Sequence, residues 1–487
     1  MTARADLILA NRAYLDHEAP RGTSEPNTTA IGGLLAALRP VIAPWSGTSG
    51  TTWIGAGRGP FDCEWVDAQG YELLATSRGP LRHRRLFFSE AVWNGHYGSV
   101  ANSFLWPLLH LVREALPHRT GYYPVPVVPL RAEWAAHRAV NRAFASAACD
   151  EVPKATAWIH DYQLALAPAM LRANGYSGRI GFFLHTPFPD LSVATRYLDR
   201  QGLDCLREFI EGMLGADLCG LQSKADVDRF CLAAVRLCAA EQRDDGLYFE
   251  GRLVTTGAYP AGIDADELLA VAREAEPPSF LDALLTSPLP LVVGLDRADF
   301  TKGIPERLEA VAEAYRRGAR FAYVGIAAPT RQGVAAYAQL PAAIATASDA
   351  AATAARETGN PFLHANTAIT WPEVVALQRR ADVMFTSSLA DGLNLVPMQT
   401  AIAQSRRPQS ERAVIITGRD AGVASAFAGF EADGMAPVDP LNADHLTRVL
   451  IDALAGRPGR VSDRLIESIR TNDALAWATR FLTDLEA

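Results

Sequence analysis

The sequence predicts an α/β fold of two Rossmann-like, doubly wound domains facing a central cleft. Three observations predict it. Short apolar runs alternate along the chain with segments whose apolar residues recur at helical spacing, the rhythm of parallel sheets covered by helices. The 487 residues, 49% hydrophobic and 21% charged, are enough for two full cores. A cluster of proline and glycine, AYPAGI at 258–263, interrupts the pattern, and the acidic, proline-rich EAEPP at 274–278 soon follows.

In chain order, the runs at 7–9 (LIL), 157–159 (AWI), 180–184 (IGFFL), 289–294 (LPLVVG), 321–326 (FAYVGI), 383–385 (VMF) and 413–417 (AVIIT) read as buried strands. Segments such as 305–316 and the alanine-rich 342–356 read as helices between them. The break divides the chain into an N-terminal domain, 1–260, and a C-terminal domain, 261–465, with a terminal helix in 466–487 crossing back onto the first.

Composition excludes several function classes. A net charge of -8, without long single-sign runs, offers no basic stripe to neutralise a phosphate backbone, so no nucleic-acid partner is expected. The start has no long apolar segment, and no run elsewhere approaches the roughly 18 residues that span a bilayer. A cytoplasmic protein without membrane attachment is the expectation. Six cysteines show no C-x-x-C pair and read as reduced, buried small hydrophobes, and no metal site is expected.

In open α/β sheets ligands sit beyond the carboxyl ends of the strands, so the loops after these runs are the places for chemistry. Asn11 and Arg12 follow the first run; downstream, NTTAIGGL at 27–34 is a threonine-capped helix start, where Gly32 and Gly33 expose N–H groups to an anion or serve as a packing device. It lacks the G-x-G-x-x-G fingerprint, which disfavours a nicotinamide oxidoreductase. Asp161 follows WIH and reads either as an acceptor for sugar hydroxyls or as a helix N-cap. His185, in FFLHTPFP, reads either as a structural histidine or as a partner of Asp161. Arg297 and Lys302, in GLDRADFTKGIPER, suit a diphosphate as planar fork and point charge, or else pair with Asp296 and Asp299 at the surface. Finally, ADGLNLVPMQT at 390–400 joins a buried strand to a helix-like segment.

Taken in order, these motifs resemble the trehalose-6-phosphate synthase family of retaining, GT-B-type glycosyltransferases. The resemblance covers nearly the whole chain and includes Tyr97, NSFLWP at 102–107, APT at 328–330 and NDALAW at 472–477. It implies transfer of glucose from a nucleotide diphosphate glucose to glucose 6-phosphate with retention and without metal or cofactor. It leaves a homo-oligomer open. The N-terminal domain would bind the acceptor and the C-terminal domain the nucleotide sugar.

By the same resemblance, Arg297 and Lys302 clamp the donor diphosphate, and Gly33 approaches its distal phosphate. His185 and Asp391 hold donor-sugar hydroxyls, and Asp161 contacts acceptor and reaction centre. Arg12, Tyr97 and Trp106 hold the acceptor phosphate, with Arg12 otherwise pairing with Asp16 or Glu18. Gly392, Leu393, Asn394, Leu395 and Val396 cup the glucose, and Asp391 and Gln399 are expected about two helical turns apart on one face.

The chain departs from the family at Gln399, where glutamate is usual, at Gln163, where histidine is usual, and at Arg331, the fourth acceptor-phosphate group by the resemblance, displaced by one position. With small residues at 327–328 and 365–368, Gln399 leans the expectation towards GDP-glucose over UDP-glucose. The alternatives are a glycerol phosphate or cyclitol phosphate acceptor, and a catalytically silent regulatory subunit.

Overall fold

Runs of β-branched and apolar side chains become strands because helices cover both faces, so their burial is continuous rather than alternating. Val414–Gly418 is buried throughout, and Leu291–Arg297 is buried until its last two residues. The computed structural model describes residues 4–22, 28–29, 32–42, 50–76, 79–151 and 154–487. Two compact units result: Met1–Leu111 with Pro126–Ala261 and Ala474–Ala487, and Val112–Val125 with Gly262–Asp473.

The first unit is built on a 10-stranded sheet. Its parallel part runs Arg252–Ala258, Leu218–Leu221, Ile180–Phe183, Ala157–His160, Leu7–Arg12, Thr52–Ala56, Gly79–Leu86. Antiparallel strands finish both edges. Chain order reverses between Leu7–Arg12 and Ala157–His160, which creates a crevice at their carboxyl ends.

The second unit has a 6-stranded, wholly parallel sheet: Phe362–Ala365, Ala322–Ala328, Leu291–Arg297, Val383–Phe385, Val414–Gly418, Met435–Val438. Numbered within the unit this is the order 3-2-1-4-5-6 of dinucleotide-binding sheets. Its reversal falls between Leu291–Arg297 and Val383–Phe385.

Each apolar run singled out in the sequence is a strand, and the helices expected at 305–316 and 342–356 are Ile304–Arg316 and Leu340–Thr358. Two expectations need correction. Val112–Val125 clusters with the second unit although it lies inside 1–260, because Arg113, Tyr122 and Tyr123 find their partners there. The tail is two helices, Asp463–Thr471 and Ala474–Glu486, broken at Asn472, whose side chain turns back to Ser468 O at 2.9 Å. Only the second clusters with the first unit. Cys205, Cys219 and Cys231 are buried, but Cys63 is exposed. Among the described residues no helix is long and apolar enough to cross a membrane.

Candidate functional site

Arg12 ends its strand exposed, and its Nη2 donates to the Tyr97 hydroxyl at 2.9 Å. Tyr97 is delivered by a π-helical stretch, Asn94–Leu105, a rare geometry frequent at functional sites, and its ring stacks on Trp93 at 5.4 Å. The preceding residue of each element meets in the interior. His96 Nε2 lies 2.8 Å from Asn11 Oδ1, and His96 Nδ1 lies 2.9 Å from His137 Nδ1. An amide oxygen only accepts, so the His96 proton is assigned to Nε2 and His137 donates from Nδ1. Trp106, largely buried, packs its ring against His110 and Tyr162. Gly32 and Gly33 open the helix Gly32–Ile42, while Asn27, Ala30 and Ile31 of that motif lie outside the described residues.

Across the crevice, Asp161 adopts φ 73° and ψ 166°, backbone that is nearly confined to glycine and costs about 1–3 kcal/mol in other residues. That turn aims the carboxylate at the neighbouring strand end, where Oδ1 accepts the His185 N–H at 3.1 Å. The N-cap alternative therefore fails: the side chain caps nothing. His185 sits in a chain of neutral groups. Gln222 Oε1 accepts the Ala261 N–H at 3.0 Å, which points its amide nitrogen at His185 Nδ1, 3.5 Å away. His185 Nε2–H then donates to His160 Nδ1 at 3.1 Å. Burial pushes the His185 pKa down to about 3, and burial with the neighbouring ring holds His160 well below its ordinary value.

In the second unit, Arg297 ends its strand exposed, with Nη2 3.8 Å from Asp299 Oδ2. The turn Phe300–Lys302 follows, and Gly303 starts the next helix at φ 58°. A Cβ there would stand 2.2 Å from Ser387 O, so only glycine fits. Ser387 Oγ donates to Gly303 O at 2.7 Å, tying the two strand ends together at the reversal of the sheet. Lys302 Nζ there forms an ion pair with Asp391 Oδ2, and the Ser388 hydroxyl lies 3.3 Å from the same oxygen.

The expected surface pairing of these cations holds in part. The Asp296 side chain is buried and pairs with the fully buried Arg307, which also donates to Phe385 O at 2.9 Å. Asp299 is fully buried and is shared by Arg331, by Tyr337, whose hydroxyl donates at 3.0 Å, and by Thr301. Arg331, at φ 46°, is thus occupied inside the second unit, and it also donates to the Tyr337 oxygen at 2.7 Å.

Asp391 precedes the helix Val396–Ala403, so it does not share a helical face with Gln399 as expected. The chain first needs a bend at Asn394, φ 68°, whose Nδ2 donates to Ser388 Oγ at 3.1 Å and whose Oδ1 accepts the Val396 N–H at 3.2 Å. Gly392 and Leu393 are buried, while Leu395 and Val396 are half-buried. Gln399 is buried, and its Oε1 accepts from Gln378 at 3.2 Å.

Sequence reasoning did not select His96, His137, Gln222 or Arg307, and took Asp299 only as a surface partner. Gln222 was findable, since it follows strand Leu218–Leu221, but LCGL is too short and too glycine-interrupted to stand out. The others are buried partners that only tertiary packing brings to the site.

Two doubly wound units, each with polar chemistry at the reversal of its sheet, define a glycosyltransferase of the GT-B class. The glycosyltransferase family 20 model matches residues 9–487, so the chain belongs to that family, the trehalose-6-phosphate synthases, and is a retaining glycosyltransferase. It is 27% identical to alpha,alpha-trehalose-phosphate synthase (UDP-forming) 2 of Aspergillus fumigatus over 98% of this chain and 96% of that one. It is 33% identical to a trehalose-6-phosphate synthase of Mycolicibacterium gilvum over 81% of this chain and 78% of that one. The crystal structure of an alpha,alpha-trehalose-phosphate synthase (UDP-forming) from Burkholderia xenovorans in complex with glucose-6-phosphate matches at TM-score 0.77 and 25% identity, covering 99% of this chain and 100% of the other.

Proposed function

We propose that this chain forms α,α-trehalose 6-phosphate by transferring glucose from UDP-glucose to glucose 6-phosphate with retention. The observation that carries the reading is the Lys302–Asp391 ion pair at the reversal of the 3-2-1-4-5-6 sheet, beside Arg297 on the adjoining strand end. A sheet of this order takes a nucleotide at that crevice. The ammonium turns to the diphosphate when donor binds, and the released carboxylate accepts from the sugar hydroxyls, which are donors.

Cleavage of the anomeric C–O bond leaves negative charge on the departing diphosphate, which Arg297 and Lys302 stabilise. The acceptor hydroxyl attacks the same face, and its proton passes to the leaving phosphate oxygen. Asp161, oriented by the His185 N–H, positions the acceptor. His185, neutral at working pH, offers a sugar hydroxyl its Nδ1, where the Gln222 contact is long at 3.5 Å. Arg12 and Tyr97, already paired, bind the acceptor phosphate together, while Arg331 keeps Asp299 and the Lys302 turn in place.

UDP as donor base follows the relatives' names and runs against the leaning to GDP-glucose. Gln399 is weak ground for that leaning. Its oxygen is already accepting from Gln378, and its amide still offers N–H to a ribose oxygen. The test is incubation of the purified protein with glucose 6-phosphate and each of UDP-, GDP- and ADP-glucose, with product identified by mass and NMR. Trehalose phosphate formed fastest from UDP-glucose is the expected result; no product from any donor would remove the reading.

A further inference from the structure

The chain passes from the first unit at Leu111 into Val112–Val125, which clusters with the second, and rejoins the first at Pro126. The two ends of this segment hold different loops of the second unit. At the start, Arg113 spreads its fork over Asp439, with Nη1 and Nη2 each 3.0 Å from a carboxylate oxygen, and sets Nε 2.9 Å from Asp420 Oδ2. Asp420 O accepts the Asp391 N–H at 3.3 Å, and Ala421 forms an isolated bridge with Asp391. Asp391 O accepts the Gly422 N–H at 3.1 Å, and Leu393 O accepts the Val423 N–H at 2.8 Å. The loop that Arg113 grips is therefore the main-chain cradle of Asp391.

At the other end, the buried Tyr122 donates to Glu306 Oε2 at 2.6 Å, and Tyr123 meets Phe300 edge-on at 4.9 Å. Phe300 and Glu306 flank Lys302 in sequence, one on its turn and one in the first turn of the following helix. We infer that Val112–Val125 is a positioning strap of the donor site, Arg113 fixing the Asp391 loop and Tyr122 the Lys302 turn. Neither residue needs to touch substrate.

Charge explains why Arg113 matters. Asp420 and Asp439 follow neighbouring strands, and among the described residues the cation left near both without Arg113 is Arg419, half-exposed, at 3.7 Å and 3.1 Å. Carboxylates deprived of a shared cation repel, which would spread the loop and with it the cradle. A lysine could not replace the fork, since it lacks the planar geometry.

The inference rests on the donor role proposed for Lys302 and Asp391, and its test separates the two. UDP binding by calorimetry, and KM for UDP-glucose and for glucose 6-phosphate, are measured for Arg113→Gln, Tyr122→Phe and Lys302→Ala. Arg113→Gln is expected to weaken UDP and raise the UDP-glucose KM roughly tenfold, with the glucose 6-phosphate KM changed less than about twofold. Tyr122→Phe, which removes one hydroxyl, is expected to do the same by roughly threefold, and it decides the matter if Arg113→Gln does not fold. Unchanged UDP affinity in the folded variants, or an equal rise in both KM values, overturns the strap. If Lys302→Ala also leaves UDP affinity unchanged, the donor-site reading is what has failed.

Discussion

At the crevice of the first unit the rings of His160 and His185 and the amide of Gln222 form a chain of neutral groups, whereas at the crevice of the second Lys302 faces Asp391 and Arg331 faces Asp299. Similar sheets thus support different electrostatics, even though Arg12 stands exposed at the first crevice as well. Burial removes charge from the histidines, whose rings face neutral partners, each other and the Gln222 amide. In the second unit Lys302, Arg307 and Arg331 each face a carboxylate, so charge survives burial there. Neutral nitrogens can orient hydroxyls without holding a product by charge, while cations serve a leaving diphosphate. Where the chemistry needs charge, the fold provides pairs; where it needs only geometry, the fold provides desolvated rings.

The largest effect should come from breaking the charged side. Arg297→Ala and Lys302→Ala are each expected to lower kcat/KM by roughly a hundredfold or more, since about 3 kcal/mol of transition-state stabilisation is typical for one preorganised donor. The melting temperature should stay near wild type for Arg297→Ala, whose side chain is exposed. Near wild-type kcat/KM in both variants would remove the charge contrast as an account of catalysis.

On the first unit, Arg12→Ala should cost roughly ten- to a hundredfold in kcat/KM for glucose 6-phosphate and little for free glucose, as one charge-assisted contact of about 1.5–3 kcal/mol predicts. An unchanged preference between the two acceptors would make the Arg12–Tyr97 pair structural. Arg12 hydrogen-bonds the Tyr97 hydroxyl, and its charge also reaches Asp16.

A pH series sharpens the neutral side. Burial pushes His96 and His185 down to about 3 and His364 to about 4, and holds His137 and His160 well below the ordinary value. Below about 6.5 the unfolded chain binds protons that these folded histidines do not, so stability falls with pH by up to about 1.4 kcal/mol per unit for each. Asp16 and Glu306, pushed up by burial to about 6 and about 7, act in the opposite sense, because the folded chain protonates them first. The histidines outnumber them, and the melting temperature should drop between pH 7 and pH 5. A flat profile would mean hydrated, titrating rings.

The smallest effect tests the strained turn. Asp161→Gly and Asp161→Ala both remove the carboxylate, but only glycine relaxes φ 73°, so Asp161→Gly should be the more stable by about 1 kcal/mol, the reverse of the usual order. Equal melting temperatures would show that the turn stores no strain.

Much of this was legible before folding. The alternation of apolar runs and helical spacing specified α/β architecture, because burial on both faces demands continuous apolar strands wherever the chain lies in the sheet. The strand-end motifs named Arg12, Asp161, His185, Arg297, Lys302 and Asp391, because parallel sheets deliver their chemistry where strands stop. Sequence could not pair these residues with what lies beneath them. Asp299 looked like a surface partner and is wholly buried under Arg331, and Gln399 looked level with Asp391 until Asn394 bent the chain. Nor could it assign Val112–Val125, whose allegiance rests on Arg113 meeting Asp420 and Asp439 more than 300 residues away. Local propensity and periodicity act over a few residues, so they determine which elements form; ion pairing and desolvation depend on distance in space, so only the tertiary structure decided which side chains became charged, neutral or held in place.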